Sequence, residues 1–242
     1  MSAPITNQPK RSGGTQTSDW MDMPKSPPNC PAGLEYLTMI DQLYLYQKVD
    51  VLETLIGLDA KFAFTVKNST GEKIYNIKEN SFWLTRCLCG QNRPFDINII
   101  DKYRNKVIHL HKPFSTYINR MKVSAPPGTE IGTVDEEGFF FPSYIIKNAT
   151  GSTTFRIESP LQSRICSEAT FPIKSGDGSL QVGEIYKYWW GCLGAVREIL
   201  TDADYFRITF PMDLDIKMKA VMLGACILIN SSIGKSSNAP GQ

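Results

Sequence analysis

The sequence predicts a mainly β protein with helices, folded as one closed antiparallel barrel of two similar halves around a buried hydrophobic C-terminal helix. Three observations carry that expectation. A turn signature recurs, Lys67-Asn68-Ser69-Thr70-Gly71 and then Lys147-Asn148-Ala149-Thr150-Gly151. Each copy sits between short runs of β type, Phe62 to Val66 and Lys73 to Ile77 in the first, Tyr144 to Ile146 and Thr153 to Ile157 in the second. A run near the C-terminus is apolar on every helical face, which fits only burial in protein or in lipid.

The hairpins follow from turn chemistry. Asn tolerates left-handed geometry and Gly supplies positive φ, so both signatures read as tight turns. Further on, Phe95-Asp96-Ile97 is echoed by Phe171-Pro172-Ile173. Asp101 to Asn105 and Gly176 to Ser179 then turn the chain into Val107-Ile108 and Val182-Gly183-Glu184-Ile185. Two separate sheets would leave bare edges, and joining them into one barrel removes that liability.

Helical stretches frame the hairpins. Leu34, Leu37, Ile40, Leu43 and Tyr44 fit a helix near the start, while Leu43 to Gln47 also alternates as a strand would. The C-terminal helix is expected over 213–229, with Asp213 as N-cap and Asp215 favouring the helix dipole. Its core is Ala220, Val221, Met222, Leu223, Ala225, Cys226, Ile227, Leu228 and Ile229. A membrane span needs about 20 apolar residues, and Lys217 and Lys219 interrupt the run, so the barrel interior is favoured over a bilayer.

Residues 1–28 are rich in Pro, Ser, Thr, Gly and Gln, a composition that cannot bury enough surface to offset ordering. They read as a disordered arm, the segment expected to take protein partners. Residues 29–229 form the body and 230–242 a flexible tail. Across the 242 residues, 42% are hydrophobic and 21% charged, with a net charge of +2. That near-balance argues against nucleic acid as a partner. The opening Met1-Ser2-Ala3-Pro4-Ile5 shows no signal-peptide run, so the body is expected to face the cytosol with its six cysteines reduced. Cys87 and Cys89 have no second pair to complete a zinc spacing. Three Asn-x-Ser/Thr sequons, at Asn68, Asn148 and Asn230, would need a secreted chain to be glycosylated.

Several segments carry a family resemblance. They are Pro31-Ala32-Gly33-Leu34-Glu35-Tyr36-Leu37, Ala125-Pro126-Pro127-Gly128 with Ile131-Gly132, and Thr201-Asp202-Ala203-Asp204-Tyr205-Phe206. The last continues through Phe210-Pro211-Met212-Asp213-Leu214-Asp215 and Lys217-Met218-Lys219-Ala220-Val221-Met222 to Gly224-Ala225-Cys226. Long, in order and spanning most of the body, these segments resemble the phospholipid scramblase family. The resemblance implies a tubby-like barrel. It also implies calcium-dependent, ATP-independent movement of phospholipids between leaflets, at the cytoplasmic face of the plasma membrane. With no cysteine cluster over Pro113 to Lys122 and no apolar run of spanning length, a cytosolic pool is expected as well. The partner so implied is the phospholipid membrane.

The resemblance also assigns sites. The family's calcium segment maps onto Asp202, Asp204, Phe206, Ile208, Phe210 and Asp213. Its spacing imitates an EF-hand loop, yet Arg207 stands where the sharp turn wants Gly, and Asp213 is shorter than the usual Glu. Tyr205 to Phe210 alternates as a strand does, which would hold Asp204 and Asp213 roughly 25 to 30 Å apart. The plainer reading makes Asp202 and Asp204 turn residues. The palmitate-bearing cysteine run of the family has no counterpart over Pro113 to Lys122; Cys87, Cys89 and Cys166 remain in cysteine-rich zones, and the resemblance points to Cys87 and Cys89 as the acyl acceptors. The family's basic nuclear-import stretch falls on Gly183 to Trp189, where most of its charge is gone.

No hydrolytic or redox constellation emerges, so the expected activity is lipid translocation rather than bond chemistry. His109 and His111 share a strand face, and two ligands do not make a metal site. Trp189-Trp190 and Phe139-Phe140-Phe141 read as core aromatics, or as side chains dipping into lipid headgroups. The alternative function is a membrane- or protein-binding module of the same fold that moves no lipid.

Overall fold

The computed structural model describes residues 19–47, 63–79, 94–115, 118–138, 142–160, 168–189 and 204–233. A short 3₁₀ helix, Glu35–Met39, leads into β1 (Gln42–Gln47), so the apolar residues near the start divide between helix and strand. Then come β2 (Ala63–Lys67), β3 (Lys73–Glu79), β4 (Phe95–Ile100), β5 (Lys106–Lys112), β6 (Arg120–Ser124) and β7 (Glu130–Glu137). The second half holds β8 (Ser143–Asn148), β9 (Thr153–Glu158), β10 (Ala169–Ser175), β11 (Gln181–Trp189) and β12 (Asp204–Thr209), followed by helix α1 (Ile216–Ile233). Each strand pairs with its sequence neighbours, and β12 returns to β1, so the barrel is closed. It is antiparallel throughout, and closure leaves no sheet edge bare.

The recurring signature builds two equivalent hairpins. In the second, Asn148 Oδ1 accepts from the Thr150 amide (3.0 Å), the Thr150 hydroxyl (2.7 Å) and the Ser152 amide (3.0 Å). In the first, Asn68 Oδ1 accepts from the Thr70 amide (3.1 Å), the Thr70 hydroxyl (2.8 Å) and the Glu72 amide (2.9 Å). Gly71 and Gly151 take positive φ of 83° and 80°. The ladder shifts register at the same place in both copies, between Val66 and Lys67 and between Ile146 and Lys147. The asparagines are thus turn residues whose side-chain oxygen replaces backbone acceptors. Asn148→Ala is expected to lose about 1 to 2 kcal/mol of unfolding free energy in urea titrations. Asn68→Ala should lose a similar amount, and the double variant should be additive within about 0.5 kcal/mol. A shift in neither midpoint would reduce the signature to a sequence coincidence.

The barrel closes between the first strand and the last, and tyrosines cross that seam on the outer wall. Tyr46, Tyr205 and Tyr188 stand in one register row. Their rings lie 5.8 Å apart for Tyr46 and Tyr205, and 5.2 Å for Tyr205 and Tyr188. Tyr44, Arg207 and Tyr186 form the next row, with the guanidinium 5.3 Å from the Tyr186 ring and bonded to Glu184 at 2.8 Å.

Helix α1 fills the lumen. Ala220, Val221, Met222, Leu223, Ala225, Cys226, Ile227, Leu228 and Ile229 are all enclosed, at most 1% exposed. They pack against inward residues of the wall such as Leu110, Val123, Val134, Ile146, Phe206 and Ile208. Two glycines set how closely helix and wall approach. A Cβ on Gly224 would stand 2.8 Å from Val123 Cγ2, and one on Gly132 would stand 2.9 Å from Val221 Cγ2 and 2.4 Å from the Lys147 carbonyl oxygen. Among the described residues, no helix is long and apolar enough to cross a membrane.

The helix bounds differ from the expected 213–229. Asp215, not Asp213, is the N-cap: its Oδ1 accepts from the Met218 amide at 3.0 Å, while Asp213 is exposed in the preceding turn. The helix also runs past Ile229, because the polar residues there find partners. Asn230 Oδ1 accepts from Lys187 Nζ at 3.0 Å, and the Ser232 hydroxyl donates to Glu136 at 2.9 Å. Residues 1–28 are not wholly an arm. The Lys73 amide donates to the Asp19 carbonyl and the Met21 amide to the Lys73 carbonyl, both at 2.8 Å, with an ion pair from Lys73 to Asp19 beside them.

Candidate functional site

Strand β12 and the turn that leads into α1 hold the segment the resemblance marks for calcium. Asp202 lies outside the described residues. The backbone of Asp204 opens β12 opposite Trp189. Phe206 and Ile208 point into the lumen at 0% exposure, and Phe210 is 5% exposed. The strand is paired on both sides, to β1 and to β11, so the main-chain carbonyls of Phe206 and Ile208 stand in ladders rather than around an ion. From Asp204 to Thr209 it spans about 17 Å, and Asp213 lies beyond its far end. The five described positions therefore do not converge on one point, and a single EF-hand-type loop does not fit them. Among the described residues, no group of three or more His, Cys, Asp and Glu is placed to hold a metal ion.

The far end of β12 joins a built structure that seals the barrel. Gly33, at φ 89°, lies so close to β5 that a Cβ there would stand 2.1 Å from Val107 Cγ1. Its amide donates to Glu35 Oε2 at 2.7 Å, and its carbonyl accepts from the Tyr75 hydroxyl at 2.6 Å. Tyr36 meets the Tyr75 ring edge-on at 5.8 Å. Burial, with Glu35 nearby, pushes the Tyr75 phenol well above its usual range. The Pro31-to-Leu37 segment is thus a plug, braced internally by the Gly33–Glu35 hydrogen bond and held to the barrel by one tight backbone approach and the buried bond from Tyr75.

Lys219 ties that plug to the helix. Fully enclosed, its Nζ donates to the carbonyls of Leu37 (3.0 Å), Ile40 (2.7 Å) and Met212 (2.7 Å), with the Phe210 ring at 5.3 Å. Desolvation pushes the amine down to about 8, against the opposing pull of Asp41 and Asp213. At the other end of α1, Lys187 Nζ sits 5.0 Å from the Phe206 ring and bonds Asn230. Cys226 lies between the ends of the helix, and burial pushes its thiol well above the usual range, so it is neither a nucleophile nor an acyl acceptor in this state. The expected acyl acceptors Cys87 and Cys89 lie outside the described residues, as do Phe139, Phe140, Phe141 and Trp190.

Sequence reasoning missed the interior lysines. A signal was present: Lys187 has the same strand parity as Ile185, and Ile185 faces the core. His109 and His111 do share the outer face of β5, and both contact the same Asp96 oxygen, at 3.0 and 2.9 Å.

Against known proteins, a family model described as Scramblase matches residues 21–233. Phospholipid scramblase 2 of Bos taurus is 40% identical over 236 residues, covering 94% of this chain and 78% of that protein. Phospholipid scramblase 1 of Homo sapiens is 39% identical, covering 99% of this chain and 79% of that one. Phospholipid scramblase 4 of Homo sapiens is 32% identical, covering 87% and 66%. No solved structure matches the chain. With the plug, the β12 segment and the helix all inside the matched region, the chain belongs to the scramblase family.

Proposed function

We propose that this chain is a calcium-responsive, ATP-independent phospholipid scramblase, moving phospholipids between leaflets at the cytoplasmic face of the plasma membrane, with a cytosolic pool. Its work is lipid translocation rather than bond chemistry. The observation that carries the reading is the identity of 38 to 40% to five proteins named phospholipid scramblase 1 or 2, each over 94% or more of this chain. Cys87 and Cys89 are the proposed acyl acceptors, and the N-terminal arm the proposed site for protein partners. Calcium enters as the proposed cofactor through the resemblance. Because β12 separates Asp204 from Asp213, the ion would use carboxylates near one end of the strand, and binding would be weak, about 10⁻⁴ to 10⁻³ M.

A second reading has its own support. With α1 enclosed, the described body offers no helix to cross a bilayer, which favours a module that binds membrane or protein without moving lipid. Such a protein could move lipid only by distorting the bilayer, by oligomerising or through a partner. Labelled-lipid exchange by the purified full chain in vesicles, with and without calcium, separates the two. Calcium-triggered exchange without ATP is expected from a scramblase. Salt-released binding with no exchange, in flotation at low and high salt, would leave the binding module standing.

A further inference from the structure

Among the described hairpin turns, the β4–β5 turn stands apart in its charge. Its residues are Asp101-Lys102-Tyr103-Arg104-Asn105-Lys106, three cations and one aromatic ring around a single carboxylate. That carboxylate is spent inside the turn. Asp101, 3% exposed, accepts the amides of Tyr103 (2.9 Å) and Asn105 (2.8 Å) on Oδ1 and the Asn105 side-chain amide (3.0 Å) on Oδ2. The Arg104 amide donates to the Asp101 carbonyl at 3.1 Å, and Arg104 holds φ 68°. The tip is therefore fixed in shape, and it presents its side chains outward. Tyr103 is 62% exposed, Arg104 and Lys106 are exposed, and Lys102 Nζ lies 5.1 Å from the Tyr103 ring centre. Among the described residues, no carboxylate forms an ion pair with Lys102, Arg104 or Lys106.

We propose that this turn is a docking prong for an anionic phospholipid surface, with the Tyr103 ring seated at headgroup level and Lys102, Arg104 and Lys106 against lipid phosphates and carboxylates. Tyrosine, with an apolar ring and a polar tip, suits the zone between water and lipid. Each basic side chain near an anionic leaflet is worth roughly a factor of five in binding, weakened by salt. Nucleic acid is anionic too, but it attracts chains with a larger charge excess than the +2 found here. The inference rests on the proposed membrane association and not on lipid movement. It also gives that association a place, on the barrel end where the plug and the N-terminus of α1 lie.

The test is flotation of the full chain with vesicles of phosphatidylcholine alone and of phosphatidylcholine with phosphatidylserine. Neutralising the prong with Lys102→Gln, Arg104→Gln and Lys106→Gln together is expected to cut affinity for the serine-containing vesicles roughly 100-fold. Tyr103→Ala should weaken it severalfold. The comparison triple, Lys122→Gln, Arg156→Gln and Lys174→Gln, removes the same charge from the barrel wall and should change binding far less. All changed prong side chains face outward, so melting temperatures should be kept. Equal losses from the two triples would make net charge the whole effect and overturn the prong. Wild-type binding to a random oligonucleotide as tight as to the vesicles would also overturn it. Docking that depends on the prong without lipid exchange would sink the scramblase reading alone. Exchange and binding that survive its neutralisation would sink the prong alone.

Discussion

Lys219→Met is expected to lower the unfolding free energy by about 3 to 5 kcal/mol, as measured by denaturant titration of the full chain. Met fills the volume of the lysine stem but carries no donor. The three acceptors it abandons, the carbonyls of Leu37, Ile40 and Met212, are main chain and cannot be mutated away. A buried ion pair can often be replaced by apolar residues at little cost, because both partners leave together. Here only one partner can leave, so the desolvation of three carbonyl groups stays uncompensated. The plug residues Leu37 and Ile40 should loosen first, since Lys219 bridges them to α1. A loss below about 1 kcal/mol would mean that water or another donor takes the place of the amine.

The same residue sets a pH dependence whose sign is opposite to that of a stabilising ion pair. Burial lowers the Lys219 amine from 10.5 to about 8. Between those values the unfolded chain holds a proton that the folded chain has shed. Stability therefore rises with pH across that window, by about 3 kcal/mol from this group alone, and is flat with respect to it below pH 8. Lys219→Met lacks this component, so the gap between the two proteins should widen from pH 8 to pH 10. A gap that narrows would show that the three carbonyls hold the charged form more strongly than desolvation opposes it.

Much of the barrel was legible because its signals are local. An Asn-x-Thr-Gly turn states its own geometry, and the alternation of Tyr205 to Phe210 is strand period whatever lies around it. A helix with no polar face must be enclosed by something. The misplaced features depend on groups far away in sequence. Asp213 and Asp215 are both reasonable caps, and nothing local chooses between them. The helix outlasts Ile229 because Lys187 and Glu136, 43 and 96 residues away, receive Asn230 and Ser232. Lys219 read as an interruption of an apolar run, since the three carbonyls that make its burial tolerable come from the plug and the preceding turn. The calcium segment shows the converse: the strand period was readable, and it argued against a single loop.

Truncation from Lys217 onward should abolish cooperative folding of the barrel altogether. The helix contributes Val221, Met222, Leu223, Ile227, Leu228 and Ile229, each at most 1% exposed. At about 2 kcal/mol for each buried side chain, their loss is on the order of 10 to 15 kcal/mol, as large as the whole net stability of an ordinary domain. It would also leave the wall residues they cover, Val123, Val134 and Ile146 among them, facing an empty lumen. Leu223→Lys in the full chain tests the same point more gently, with an expected loss of at least about 3 kcal/mol from an unpaired charge in the core. A truncated chain with a sharp, native-like melt would overturn the structural role of the helix. The consequence for function is direct. Placing α1 across a bilayer would require vacating the barrel, so an inserted helix and an intact barrel exclude each other. Cys226 reports which holds, because its thiol is sealed at 0% exposure while the helix is in place. Mass spectrometry of the Cys226 peptide after thiol labelling, on vesicles with calcium, should find it unmodified. Labelling at the rate of an accessible cysteine would show that the helix leaves its barrel at the membrane.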